Sequence, residues 1–401
     1  MRHFAILILL FLSSFISRSQ PIKESCTRTI SLLTCAPGTD LYSFWGHTAI
    51  RIKDSARGMD VIYNYGIFDD SDPLFYIHFT KGIMRYSVAA ETMSDFMSEY
   101  EYEHRAVFEQ VLNLSCSEKD RLYEALRTNT LEENRFYNYH FHTDNCTTRA
   151  GRVIESNLSE PLSYANTVPL NNPDGKSGIS FRDMIHEYLN KEQAYWPELG
   201  IDFLLGSHLD KKPTNLEAIH FLPDYLYRGM DSAMEGTKPL VLQRQAILRF
   251  PEKTEKHVWF TPTLFFSFLL VLAIVFFLLR DKSVFANALL IYDIVLFSLS
   301  GLIGILITCL WLGRVDDVCR DNINILWAIP THAIIVFFIR KKAAWIKYYF
   351  LVTAVIAAVL LIGFPFWFQR MNLAVYPILG IIIFRSFTLY INRFRAEKNS
   401  V

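Results

Sequence analysis

The sequence predicts an exported α+β domain followed by an all-α membrane domain of five transmembrane helices. Three observations predict it. Residues 1–19 read as a secretory signal peptide. Residues 20–257 are mixed and polar, with short alternating runs and helix-capping residues. Residues 258–401 are mostly apolar, and phenylalanine concentrates there.

The leader has a short basic start at Arg2 and His3, then an apolar run from Phe4 to Phe15. That run is short for a bilayer span, and Ser17 and Ser19 offer small residues for cleavage. The 401 residues carry no formal net charge, which argues against a nucleic-acid-binding face. Export permits disulfides, and of the six cysteines Cys26 and Cys35 are close enough in sequence to pair. No CxxC pair or histidine-rich spacing marks a zinc site, so neither a metal nor a cofactor is expected.

Within the polar part, Ile30–Leu33 is a short apolar run closed by Pro37-Gly38. From Thr48 the pattern alternates, with Thr48, Ile50 and Ile52 on one face and His47, Ala49 and Arg51 on the other. Val61–Tyr65 reads as the return strand of a hairpin, on which Asn64 can come close to His47. Phe75–Phe79 and Met84–Ala89 read as further extended pieces. Ser115 and Glu118 fit a capping box for a helix reaching about Arg127. Phe181–Leu189 reads as helix, Trp196–Leu209 as an irregular apolar segment, and Pro239–Phe250 as a last strand.

The stretch Tyr139–Arg149 carries the chemistry. Asp144 or Asn145 caps a helix whose apolar positions include Val153, Ile154 and Leu158. Cys146 then lies in the first turn, where free amides and the helix dipole favour a thiolate. Such a cysteine is a candidate nucleophile if a histidine reaches it. The same pattern also fits a buried structural cysteine.

Five apolar runs follow: Trp259–Leu279, Phe285–Leu312, Ile323–Ile339, Trp345–Trp367 and Leu373–Leu389. Basic residues follow the first (Arg280, Lys282), third (Arg340, Lys341, Lys342, Lys347) and fifth (Arg393, Arg395, Lys398). The positive-inside rule puts those ends and the C-terminus in the cytoplasm and the N-terminal domain outside. Asp293 in the second run and His332 in the third are ionisable groups in hydrocarbon, hence functional suspects or paired between helices. Asn322, Asn324, Trp327 and Pro330 cluster at the outer end of the third run.

Ser43–Arg51, Asn64–Asp69 and Phe141–Arg149 resemble the signatures of Lnb, the lipoprotein N-acyltransferase family of Bacteroides and relatives. The polar domain also resembles the circularly permuted papain-like group of NlpC and lecithin:retinol acyltransferase type, in which the histidine strand precedes the cysteine helix. The resemblance implies Cys146 as nucleophile, His47 as its base and Asn64 as the orienting residue, supported by Asn145, Arg149 and Tyr65. Asn322, Asn324 and His332 are the candidates in the membrane part, although Arg314-Val315-Asp316-Asp317 stands where the family leads one to expect a histidine. The activity implied is acyl transfer at the bacterial inner membrane. Its partners would be a lipoprotein and an acyl ester of a phospholipid or of the lipoprotein itself. A membrane-anchored thiol hydrolase and a non-enzymatic assembly factor are the rival readings.

Overall fold

The computed structural model describes residues 26–68, 73–165, 178–251, 258–341 and 343–398. The expected signal peptide lies outside the described residues. Strand β1 (Arg28–Cys35) pairs with β2 (His47–Asp54), and β2 with β3 (Met59–Phe68). A short helix α1 (Phe75–Thr80) leads to β4 (Arg85–Thr92), which pairs with β3. Helix α2 (Met93–Tyr102) follows, and β5 (Val107–Leu112) pairs on the other side of β1. Helix α3 (Cys116–Asn129), strand β6 (Phe136–Asn138) and helix α4 (Cys146–Glu155) come next. After β7 (Leu162–Ser163) stand four helices: α5 (Phe181–Lys191), α6 (Tyr195–Leu204), α7 (Asn215–Ile219) and α8 (Pro223–Ser232). Strands β8 (Met234–Glu235), β9 (Lys238–Pro239) and β10 (Val241–Leu248) end the domain. The main sheet is antiparallel and seven-stranded, in the order β10-β5-β1-β2-β3-β4-β6.

Side chains alternate across strands, so one sheet buries two faces. On one face Ile30, Leu32, Ile50, Ile52, Tyr63 and Tyr65 pack against Leu122 and Leu126 of α3, Ala150 and Ile154 of α4, and Leu226 and Met230 of α8. On the other, Leu33, Ala49 and Ile62 pack against Phe96 and Tyr100 of α2. The expected capping box is present: Ser115 accepts from the Glu118 amide, and the Glu118 side chain accepts from the Ser115 amide.

Two expectations for this domain need correction, and one pairing the sequence left open is resolved. Phe75–Phe79 is helical, not extended. Trp196–Leu209 is mostly ordered helix, because α6 is sandwiched between α5 and the apolar helices that follow. Cys26 and Cys35 do not pair. Cys35 ends an extended strand that begins two residues after Cys26, and a strand rises ~3.3 Å per residue. The thiol near Cys26 is that of Cys116.

The C-terminal region is helical: α9 (Pro262–Leu278), α10 (Ser283–Gly313), α11 (His332–Ile335), α12 (Ala344–Gly363) and α13 (Val375–Lys398). Among the described residues three helical stretches, Ser283–Gly313, Ala344–Phe366 and Val375–Asn392, are long and apolar enough to cross a membrane. Helix α9 is apolar but has 17 residues. The third expected span, Ile323–Ile339, is not one helix. It is a 3-10 turn at Ile323–Leu326, the single turn α11, and another 3-10 turn at Val336–Phe338. Pro330 supplies no amide, and the side chains of Asn322 and Asn324 bond backbone groups instead. Irregular backbone survives at such depth where protein surrounds it. Here α10 closes in through Gly301 and Gly304. A Cβ at either would stand 2.1 Å from the Ala333 nitrogen or 1.8 Å from the Ala328 oxygen.

Asp293 is paired. Arg385 grips it with two bonds, Nε to Oδ1 at 2.7 Å and Nη2 to Oδ2 at 2.9 Å, both side chains being buried. His332 takes a bond of 2.6 Å between Nδ1 and the Ser300 hydroxyl.

Candidate active site

Helix α4 starts at Cys146 because Asn145 caps it. Its Oδ1 accepts from the amides of Thr147 and Thr148, both at 2.9 Å. Its Nδ2 donates to the carbonyls of Phe141 at 2.8 Å and Phe221 at 2.9 Å. One buried side chain thus caps the helix and ties the preceding loop to the segment before α8. The Cys146 N–H bonds nothing among the described residues, so it is the helix-start donor still available. The cap occupies the two amides that follow it.

His47 begins β2 on the sheet face opposite α4, yet its imidazole and the Cys146 thiol come together around Gly66, close enough that each shifts the other's titration. The sheet is open where they meet. Pairing of β2 with β3 starts only at Ala49↔Asn64, and the β3–β4 register slips between Tyr65 and Ile67. Gly66 sits in that slip with φ +94°, the left-handed region that favours glycine. A Cβ there would lie 3.5 Å from the Cys146 Cβ and 3.9 Å from the His47 Cε1. In this gap the Thr48 N–H turns to the Cys146 sulfur. The hydroxyls of Thr48 and Thr147, 3.2 Å apart, join strand and helix beneath it.

The imidazole is oriented from behind. His47 Nε2 donates to Asn64 Oδ1 at 2.5 Å, which leaves Nδ1 for the sulfur. The Asn64 Nδ2 donates to Glu91 Oε1 at 2.9 Å. A carboxylate only accepts, so Glu91 fixes which way the amide faces. The row is therefore Cys146–His47–Asn64–Glu91.

Burial alone would raise the Cys146 thiol. The charge and hydrogen bond of His47, the Thr48 amide and the Thr147 hydroxyl outweigh it and lower the thiol below its ordinary value. Burial lowers His47, but the Cys146 charge and its bonds to Cys146 and Asn64 leave it raised. The two shifts are one fact: thiolate and imidazolium stabilise each other. Aromatic rings wall the site. Tyr86 stacks on Tyr139 with centroids 4.4 Å apart, and burial beside Cys146 pushes Tyr86 up to about 12. These phenols stay neutral next to the thiolate.

Arg149 bonds Asp144 at 2.7 Å and lies 3.5 Å over the Tyr137 ring, holding the loop before Cys146. Tyr65 points away from the row, since it alternates with Asn64; its hydroxyl accepts from Asn129 at 2.7 Å. Asn322 and Asn324 bond no member of the row and cap the end of α6. Asn322 Nδ2 donates to the Phe203 carbonyl at 2.8 Å, and Asn324 Nδ2 to that of Asp202 at 2.9 Å. His332 lies within the helical region, likewise apart from the row. Glu91, Thr48 and Gly66 were not anticipated. Gly66 carried a signal, a lone glycine in a strand pattern; Glu91 carried none.

Among the described residues two clusters of histidines and acids have donor atoms close enough for a metal: His140, His142 and Asp317, and His186, Glu198 and Asp202. Neither includes the thiol.

Fold and site together define a membrane protein whose α+β domain bears a paired thiol and imidazole. Residues 24–173 match the family model of the Lnb N-terminal periplasmic domain, and residues 253–397 that of the Lnb transmembrane domain. The chain belongs to the Lnb family, with a periplasmic N-terminal domain and a membrane domain. Searches of curated proteins and of solved structures returned no match.

Proposed function

We propose that the protein is a lipoprotein N-acyltransferase working through a thioester on Cys146. The observation that carries this reading is the Cys146–His47 pair set in a domain hydrogen-bonded onto apolar helices. The thiolate attacks the carbonyl carbon of an acyl ester, forming the S–C bond. The tetrahedral oxyanion takes the free Cys146 N–H, and removing one such donor elsewhere costs ~3–4 kcal/mol. The C–O bond breaks as His47 Nδ1 gives its proton to the departing alcohol oxygen. The α-amine of a lipidated N-terminal cysteine then attacks the thioester, His47 takes its proton, and the thiolate leaves. The net change moves one acyl chain from oxygen to nitrogen. Asn64 and Glu91 hold the imidazole in the required tautomer throughout.

The histidine strand before the cysteine helix supports a permuted papain-like relationship. The basic residues after the first, third and fifth apolar runs support an inner-membrane protein with its C-terminus in the cytoplasm. The test is mass spectrometry of a lipoprotein's N-terminal peptide from cells lacking their own N-acyltransferase. A third acyl chain should appear with the intact protein and not with Cys146→Ser. A lipoprotein still diacylated with the well-expressed intact protein would refute the reading, and free fatty acid release would mark a hydrolase.

A further inference from the structure

The loop leading into Cys146 carries donors that acyl transfer does not use. His140 and His142 stand two residues apart in it, and Asp317 reaches them from the connection after α10. One donor atom of each lies within 4.8 Å of the others. The Nδ1 atoms of both histidines are buried and bond nothing among the described residues. His140 Nε2 is 3.8 Å from Asp317 Oδ1, too far for a hydrogen bond. Nor does Asp317 have a guanidinium, for Arg314 grips Asp316 instead. The other cluster differs. There Arg182 donates to Asp202 at 2.9 Å and Asn372 at 3.0 Å, so protein groups already answer its charge.

We propose that His140, His142 and Asp317 form a site for a divalent transition-metal ion of the zinc class, shared by the periplasmic and membrane domains. Two imidazoles and a carboxylate suit Zn2+, which binds them at about 2.0–2.2 Å in a tetrahedron. The donors need draw in by about an ångström to reach that spacing. His208 supports the carboxylate as outer partners of metal ligands do. Its Nδ1 lies 2.8 Å from Asp317 Oδ2 and its Nε2 3.1 Å from Asp321. The ion would staple the loop before the thiol to the membrane domain. This site stands independently of the acyl-transfer reading.

The experiment uses full-length protein in detergent, purified without a polyhistidine tag, stripped with chelator and dialysed against Zn2+. The intact protein should hold one zinc per chain and show a Zn2+-dependent rise in Tm. The His140→Gln/His142→Gln pair should lose both. Asp317→Asn, a change on a partly exposed loop, should lose both while keeping the zinc-free Tm within a few degrees. Equal zinc content and equal Zn2+ response in intact and variant proteins would overturn the proposal. So would an intact protein that neither holds nor responds to zinc, cobalt or manganese.

Discussion

Replacing Asn145 by alanine removes five hydrogen bonds at once. One is a 3.4 Å bond from the Thr148 hydroxyl, which keeps its 2.9 Å bond to the Asn145 carbonyl; the magnitudes of the other four are worked from the structure. The Oδ1 bonds to the Thr147 and Thr148 amides form the cap, worth about 1 kcal/mol. The Phe221 carbonyl is buried and takes its bond from Asn145, so losing that donor costs ~1–3 kcal/mol. The Phe141 carbonyl is half-buried and water offsets part of its loss, leaving up to about 1 kcal/mol. The sum is about 2–5 kcal/mol. In a domain of this size each kcal/mol moves the midpoint by roughly 2–4 °C, so Asn145→Ala should lower the apparent Tm by about 4–20 °C. Scanning fluorimetry in detergent at one fixed heating rate measures it, since unfolding of such a protein is under kinetic control. Asn145→Ser restores the cap but does not reach Phe221. It should recover only the capping share, roughly 2–4 °C. A fall below 2 °C for alanine, or serine no better than alanine, would refute the assignment.

Two further outcomes follow from the site. In a background lacking the exposed thiols of Cys26, Cys116 and Cys309, alkylation of Cys146 should already be fast at neutral pH. His47→Gln removes the cation and hydrogen bond that lower the thiol and leaves the burial that raises it, so the alkylation profile should move to higher pH. An unmoved profile would sever the pair. Gly66→Ala puts a methyl 3.5 Å from the Cys146 Cβ at a φ that costs an alanine ~1–2 kcal/mol. It should cut acyl transfer at least tenfold while lowering Tm by only a few degrees, and wild-type turnover would show that the gap is not needed.

Much of the site was legible where chemistry is local. An Asn-Cys step before a helical pattern announces a capped thiol, and both the cap and the thiol stand where that spacing put them. Two alternating runs separated by a turn make a hairpin on which Asn64 can come close to His47, and the register that brings them together is seen only in the fold. What could not be read is set by long-range pairing. Glu91 joins the row only because β4 lies beside β3. The histidines at 140 and 142 gain a third donor only because a connection 175 residues later folds against them. The Ile323–Ile339 segment misled because hydropathy reports depth, not helix. Pro330 and the two asparagines break the backbone while neighbouring helices keep it buried.

The end of α6 has a consequence for how substrates arrive. Asn322, Asn324 and Gln369 donate to the carbonyls of residues 202–205, and the Gly206 amide donates back to Val318. A helix terminus normally finished by its own chain is finished here by the membrane domain, so the periplasmic domain cannot pivot freely above the bilayer. The thiol then has a set stand-off from the lipid surface, like a tool bolted to a bench. On the acyl-transfer reading proposed above, molecules tethered to that surface by their own acyl chains would reach the required height by sideways diffusion in two dimensions. A soluble ester of the same chemistry gains nothing from the arrangement.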